Sequence, residues 1–377
     1  MPDSTASNKL PAKPRILVLS GYDAGSHRRW REQLVASQPG FEWHTLALAP
    51  RFFRWRIRGN PLSWLEEPLL QQSWDLLLVT SMVDLATLKG CHPHLANTPA
   101  LLYMHENQFA YPESDGQHAS IDPQMVNLYS AIAATTVVFN SDWNRRSFLD
   151  GVARLLRQLP DAVPEGVLAR LADKSVVVPV PIEDRLFVER AAPINRHCPH
   201  LLWNHRWEYD KGPDRLLLLL DALVARGQDF RVSVVGEQFR QQPKAFTALR
   251  RRHGDRVVHW GFMAERADYD RLLQTADVVL STALHDFQGL SMLEAMASGC
   301  LALAPDRLAY PEYVPADQLY PSLPDDAELE TQGAADRLQD LLGREPASKA
   351  PWAWSLDRLA PGYEDILITT LEKHRLS

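Results

Sequence analysis

The stretch Arg15-Ile-Leu-Val-Leu-Ser20, followed at once by Gly21, decides how the rest of the chain is read. A continuous apolar run without polar alternation is the pattern of a strand covered on both faces. Gly21 and Gly25 then mark a turn, and a helical pattern begins near Ser26. Runs of the same kind recur at Asp75 to Thr80, Ala100 to Met104, Thr136 to Phe139 and Ser175 to Val178. Helical stretches such as Pro123 to Ala134 and Asp142 to Leu159 lie between them. This alternation predicts a parallel sheet with helices on both faces.

The pattern pauses at Val178-Pro-Val-Pro-Ile-Glu-Asp184 and again over Ala191 to Pro199. Proline extends neither a helix nor a central strand, so a domain boundary is expected here. A second series follows, with strands at Leu201 to Asn204, Phe230 to Val235, Val257 to Trp260, Asp277 to Ser281 and Cys300 to Ala304. Its helices are read at Pro213 to Arg226, Pro243 to Arg252, Arg266 to Thr275 and Leu290 to Ser298. The tail, Trp352 to Arg375, reads as one or two helices after a polar, Pro-containing linker. The expected class is α/β: two facing, Rossmann-like, doubly wound parallel-sheet domains with the ligand in the cleft between them. The expected divisions are a lead-in over 1–14, domains over 15–184 and 185–345, and a helical tail over 346–377.

Composition removes several alternatives. With 45% hydrophobic and 23% charged residues the chain is not of disordered type, and no internal repeat supports a rod or solenoid. A length of 377 residues exceeds what one core usually covers. The three cysteines, Cys91, Cys198 and Cys300, are too scattered for a disulfide framework, so a reducing, cytoplasmic setting is expected. The start, Met1 to Lys13, is polar and has no apolar core, so it reads as a disordered lead-in rather than a signal peptide. No apolar run approaches the ~20 residues of a membrane span, so no membrane insertion is expected.

The net charge of −7 argues against coating nucleic acid by bulk charge. The charge is uneven, however. Residues 1–60 hold ten Lys/Arg against four Asp/Glu, a local charge of +6, and the remainder carries −13.

The densest chemical signal is His285-Asp-Phe-Gln-Gly-Leu-Ser-Met-Leu-Glu-Ala-Met-Ala-Ser-Gly299. Gly289 would let the loop pass close to a ligand and open a helix whose free N–H groups suit a phosphate. Glu294, inside that helix, would offer a carboxylate to a ribose diol. An acidic strand–loop–helix with no ligand would look the same. Arg206 and Lys211 shift the balance. They follow the first strand of the second series, and an arginine fork with a lysine point charge can neutralise a diphosphate. Together the two segments predict a nucleotide-sugar site.

The Arg-x4-Lys pair and the acidic-x7-Glu loop resemble the retaining GT-B glycosyltransferases of family 4. That family commonly has Glu where this chain has Asp286, one methylene shorter. Further segments are similar to the tRNA-queuosine mannosyltransferase family. These are Gly25-Ser-His27, Arg54-Trp-Arg-Ile-Arg58, Tyr103-Met-His-Glu-Asn-Gln108, Val138-Phe-Asn-Ser141, His205-Arg-Trp-Glu-Tyr-Asp-Lys211, Val257-Val-His-Trp-Gly261 and Tyr310-Pro-Glu312. The likeness runs from about residue 15 to the tail. It implies transfer of mannose from GDP-mannose, or another nucleotide sugar, to the queuosine base of tRNA(Asp), with retention of configuration.

The resemblance also implies roles. Arg206 and Lys211 stabilise the leaving diphosphate, with backbone groups at Gln288, Gly289, Leu290 and Ser291 on its other side. Glu294 holds the ribose and Asp286 orients the sugar. His105 reaches the transferred sugar, and Gly25 lets the first loop approach the donor. On the acceptor side stand His27, Asn107, Arg54, Trp55, Arg56 and Arg58, with Arg28, Arg29, Arg145 and Arg146 extending the patch. A histidine at a strand end is commonly structural, but the polar run Glu106-Asn107-Gln108 after His105 does not suit a core.

The stretch 53–58 alternates Phe, Trp and Ile with three arginines. Read as extended, it would put three apolar groups on one face and three guanidinium groups on the other. That suits RNA, through phosphates and stacked bases, and equally a charged edge strand. With the resemblance, tRNA becomes the expected partner; no obligate protein partner is implied. No cofactor or metal is expected. Cys91-His-Pro-His94 and His197-Cys-Pro-His200 lack zinc-like spacing, and Asp268-Tyr-Asp270 falls in a predicted helix as part of a solvated face. Two other readings stand beside this one: a family 4 enzyme with a lipid or polysaccharide acceptor, and a non-catalytic RNA-binding module.

Overall fold

The computed structural model describes residues 13–111, 120–190, 192–239, 242–344 and 349–376. Most of the lead-in expected over 1–14 lies outside this set.

Two six-stranded, all-parallel sheets form the molecule. The first half runs β1 (Arg15–Ser20), α1 (Gly25–Ser37), β2 (Glu42–Ala47), α2 (Phe53–Ser63), β3 (Leu76–Thr80), α3 (Leu85–Cys91) and β4 (Ala100–Met104). It continues through α4 (Asp122–Ala133), β5 (Thr136–Phe139), α5 (Asp142–Gln158), α6 (Val167–Asp173) and β6 (Ser175–Val177). The second half runs β7 (His200–Asn204), α7 (Pro213–Ala225), β8 (Arg231–Val235), α8 (Lys244–His253), β9 (Val257–Gly261) and α9 (Arg266–Thr275). It ends with β10 (Val278–Leu280), α10 (Leu290–Ala297), β11 (Leu301–Pro305), β12 (Leu319–Tyr320) and α11 (Ala327–Gly343), before the closing helix α12 (Leu356–Leu376).

The strand orders are β2-β1-β3-β4-β5-β6 and β12-β11-β10-β7-β8-β9. Each reverses once, at β1/β3 and at β7/β10, and such switch points leave a crevice at the carboxyl ends of the strands. The apolar runs read from sequence are buried on both faces. Leu17 and Leu19 pack to one side of the first sheet, Ile16 and Val18 to the other. Leu201 and Trp203 split from Leu202 in the same way in the second.

The chain crosses between the halves twice, and the crossings meet. Ile182 N donates to Trp354 O at 2.7 Å, and Leu356 N donates to Ile182 O at 3.0 Å. α12 then returns to the first half. Tyr363 is buried there, its hydroxyl contacting Trp30 Nε1 at 2.9 Å and Tyr103 Oη at 3.0 Å. Gln38 Nε2 donates to Ala360 O at 2.7 Å.

Three expectations change. The stretch 53–58 is helical, not extended, as part of α2. Period-two alternation put Trp55 and Ile57 on one apolar face. In the helix Ile57 is buried and Trp55 is half exposed beside Arg54 and Arg58. The segment before the tail holds α11, whose buried Thr331, Ala334, Ala335, Leu338 and Leu342 keep helical spacing. The edge strands β2 and β12 were also not anticipated; β2 is only partly covered, so its sequence carries no buried-strand signal.

Candidate active site

The loops after β7 and β10 meet at the switch point of the second sheet, and this brings Lys211 to Asp286. Lys211 Nζ donates to His285 O at 2.7 Å and lies 3.2 Å from Asp210 Oδ2 and 3.6 Å from Asp286 Oδ2. Gly212, next to it, has φ +67°, and a Cβ there would meet Thr282 O at 2.1 Å, so only glycine lets the two loops touch. Asp286 Oδ1 accepts from Gly289 N at 3.0 Å, which tightens the turn into α10. Gly289 itself has φ +79°, and an added Cβ would meet Tyr313 Oη at 2.3 Å. Burial alone would raise the pKa of Asp286, but Lys211, the neighbouring histidines and the Gly289 amide hold it below the usual carboxylate range.

Arg206 is more open and pairs with Glu208 at 2.9 Å. Burial works against its charge, but Glu208, Tyr111 and Asp210 outweigh that and raise its pKa. His205 and His285 are pushed down to about 4, both chiefly by burial, and each keeps a buried Nε2 without a partner.

The first half faces this loop pair with a histidine stack. The rings of His27 and His105 lie 4.1 Å apart at 14°. His27 Nδ1 contacts Tyr22 O at 3.0 Å and its Nε2 lies 3.2 Å from Glu106 Oε2. Burial lowers the pKa of His27, yet Glu106 and the Tyr22 carbonyl reverse the sign and raise it. With acceptors at both ring nitrogens, His27 is the more readily protonated member of the stack. His105 is held well below its ordinary value by burial and by His27, and its buried Nε2 has no partner. Glu106, which also accepts from Ser81 Oγ at 2.8 Å, stays below the ordinary carboxylate pKa despite burial because His27 and Ser81 stabilise its charge.

The halves touch around this cleft. Arg29 Nη1 of α1 lies 2.6 Å from Glu294 Oε1 of α10. Ser141, the N-cap of α5, donates to Phe287 O at 2.5 Å. Glu312 accepts from the amides of Asp142 and Trp143 at 3.1 and 2.8 Å, at the start of α5. Tyr111 and Trp143 pack their rings on His285 at 5.2 and 5.8 Å.

The remaining site residues divide clearly. A Cβ on Gly25 would meet nothing within 4 Å, so that turn is open. Leu290 packs with the cores of both halves, and Ser291 O accepts from Asn204 Nδ2 at 3.0 Å. Gln288 spends its side chain on the crossover, accepting from Val180 N at 2.9 Å and donating to Val180 O at 2.8 Å; only its backbone is left for a ligand. Asn107 is wholly buried. Its Nδ2 serves Asn144 O and Oδ1 and Ser147 Oγ, and its Oδ1 accepts from Phe109 N and Ala110 N, so it has no capacity left for an acceptor.

On α2, Arg58 pairs with Asp84 at 2.7 Å, Arg56 is half-buried, and Arg54 and Trp55 are exposed. Phe53 packs edge-on against Tyr22 at 6.1 Å, which ties the start of α2 to the cleft. Of the arginines proposed to extend the patch, Arg28 pairs with Asp23 and Arg146 with Asp142, while Arg145 lies 3.5 Å from Ala172 O and Arg29 turns into the cleft. In the Asp268-Tyr-Asp270 run both carboxylates pair with arginines, and Tyr269 points inward to donate to Glu294 Oε2 at 3.0 Å. Sequence reasoning missed Tyr269 because it sits in a helix whose neighbours are polar. Among the described residues no three His, Cys, Asp or Glu side chains form a group able to hold a metal ion. No helix among them is long and apolar enough to cross a membrane.

Comparison with known proteins gives the family and the fold. The family described as tRNA-queuosine alpha-mannosyltransferase N-terminal matches residues 15–182, and the family Glycosyl transferases group 1 matches residues 189–340. A tRNA-queuosine alpha-mannosyltransferase of Drosophila melanogaster is 33% identical over 317 residues, 82% of this chain and 84% of the relative. A GDP-mannose-dependent alpha-(1-6)-phosphatidylinositol dimannoside mannosyltransferase of Mycobacterium tuberculosis is 30% identical over 153 residues, 39% of each chain. Among solved structures, the sucrose-phosphate synthase of Thermosynechococcus elongatus superposes with a TM-score of 0.66 at 16% identity, covering 96% of this chain and 98% of that one. The fold is that of the GT-B glycosyltransferases.

Proposed function

Because the chain belongs to the tRNA-queuosine α-mannosyltransferase family, we propose that this glycosyltransferase moves mannose from GDP-mannose to the queuosine base of tRNA(Asp), with retention, in the cytoplasm. The observation that carries the reading is the meeting of two unlike surfaces across one cleft. Arg206 beside Lys211 and Asp286 acts on the charge of Glu106, which holds the paired histidines, and Arg29 and Ser141 reach Glu294 and Phe287 of the other half.

The donor lies along the second half. The diphosphate sits at the start of α10, where the first amides of a helix have no intrahelical partners. Arg206 and Lys211 offset the charge that grows as it leaves. Glu294 takes the ribose diol, and Asp286, ionised and fixed by Lys211 and Gly289, accepts from the sugar hydroxyls. As the anomeric carbon–phosphate oxygen bond breaks, a queuosine hydroxyl forms its bond to that carbon on the same face. Its proton passes to the departing diphosphate oxygen, so no protein nucleophile is required. Neutral His105, its Nε2 unengaged, is suited to hydrogen-bond the transferred sugar. His27, itself fixed by Glu106, holds that ring in place by stacking.

The acceptor approaches over α2. Arg54 and Trp55 are exposed there, and the helix start adjoins Tyr22 at the cleft. Phosphates on guanidinium groups and a base on the indole suit a single-stranded RNA loop. The test is to incubate the protein with GDP-mannose and queuosine-containing tRNA(Asp), digest the RNA and weigh the nucleosides. A queuosine heavier by one hexose, with α-linked mannose by NMR, is expected. Folded protein that leaves queuosine unchanged, or that mannosylates only a lipid extract, overturns the reading.

A further inference from the structure

We propose that Arg29 is a positioning residue of the donor site, supplied by the opposite half of the molecule: it holds Glu294 in the orientation that recognises the nucleotide's ribose. The inference rests on the reading of Glu294 given above and adds the group that governs it.

Glu294 is a buried carboxylate with two holders on different halves. Tyr269 Oη donates to its Oε2 at 3.0 Å, and Asn204 Nδ2 in turn donates to Tyr269 Oη at 3.0 Å. Its Oε1 is held from across the cleft by Arg29 at 2.6 Å, with Arg266 of its own half farther off at 3.7 Å. Arg28 and Arg31, the neighbouring arginines of α1, both pair with Asp23 in their own half, so of these three only Arg29 crosses.

Two consequences follow from the chemistry. A carboxylate buried to 6% exposure is costly without a charge partner, and Arg29 is the cation in direct contact. The pair is mutual: Glu294 leads the groups that raise the Arg29 pKa, against the opposing effect of burial. Moreover, a carboxylate has about four lone-pair sites. Arg29 and Tyr269 occupy one on each oxygen and fix the plane of the group, which leaves sites for a 2′,3′-diol. A ribose reader built this way is complete only when the halves are closed. Donor recognition and closure are therefore one event.

The readout is ribose discrimination. Calorimetry measures GDP and 2′,3′-dideoxy-GDP binding to the full chain, to Arg29→Met, to Arg29→Lys and to Glu294→Gln, with folding checked by thermal melts. The unaltered protein should prefer GDP by about tenfold or more, the scale of hydrogen bonds to a charged group. Arg29→Met should bring the two ligands within about twofold and raise the donor KM about tenfold, with kcat within about threefold. Arg29→Lys should recover part of the preference. Affinity for tRNA should not change.

An unchanged GDP preference in folded Arg29→Met, with Glu294→Gln losing it, overturns the role of Arg29 alone. Loss of tRNA affinity with GDP binding intact does the same and moves Arg29 to the RNA surface. If Glu294→Gln also keeps the preference, the ribose reading of Glu294 falls and the inference falls with it. If the unaltered protein binds no GDP, the donor reading fails instead, and the same ratio is read with UDP and its dideoxy form.

Discussion

The two lips of the cleft are built differently. On the second half, Lys211, Asp286 and Gly289 come from two loops that adjoin at one switch point, shaped by glycines at positive φ. On the first half, the His27–His105 stack depends on Glu106 and Ser81, drawn from three separate loops or helices, and Asn107 is locked to α5. The first arrangement is two loops pressed together by glycines around one ion pair; the second is a network of side-chain partnerships. A charged loop pair fails by losing chemistry, whereas a hydrogen-bonded network fails by losing its shape.

The largest effect should come from the charged loop pair. Lys211→Ala is expected to lower kcat roughly 100- to 1,000-fold, as removal of one preorganised charge does, with tRNA affinity unchanged, measured by donor turnover and RNA binding in parallel. A loss of only a few-fold would mean that the second lip does not carry the chemistry. Asn107→Ala tests the network. It strips a buried amide whose every polar atom is engaged, and should cost about 3 kcal/mol in denaturant unfolding. Lost acceptor binding at unchanged stability would make Asn107 a contact residue after all.

Acidity separates the lips further. His205 and His285 have folded pKa values near 4, below the unfolded value of about 6.5. The unfolded chain then takes up protons that the folded one refuses, so stability falls by a few kcal/mol as pH drops from 6.5 toward 4. His105 acts in the same direction. His27 has the opposite sign: its raised pKa adds stability below 6.5, and this is lost as pH rises through the folded value. Unfolding at a series of pH values should therefore show His27→Gln flattening the alkaline limb and, through the relief of His105, easing the acid limb. The smallest effect is expected at the rim. Trp55→Ala should raise the KM for tRNA about tenfold and leave kcat and Tm nearly unchanged, because the indole is half exposed.

The same contrast explains what was legible in the sequence. Continuous apolar runs such as 15–20 and 277–281 announced both sheets because burial on two faces leaves no room for alternation. The donor loop could be read because glycine and acidic spacing are local constraints. α2 was misread because Arg-Trp-Arg-Ile-Arg has perfect period two, while Asn60 closes the helix from within, its Nδ2 donating to Arg56 O at 2.7 Å and Met82 O at 2.9 Å. Asn107 looked like a ligand residue because amides are polar. That its partner is Asn144 is a fact of tertiary structure. Arg29 lay in Arg28-Arg29-Trp30-Arg31, and nothing in that stretch marks which arginine crosses the cleft.

The return of α12 carries a consequence for synthesis. Tyr363 and its partner Tyr103 are 260 residues apart. As the chain emerges from the ribosome, the first half can pair its strands long before the helix that covers Trp30 and Tyr103 exists. Until then the part of that apolar face not covered by α1 stays bare and open to aggregation or chaperones. The first half is thus made first and finished last, and a release of the chain before α12 would leave the first half, not the second, incompletely folded.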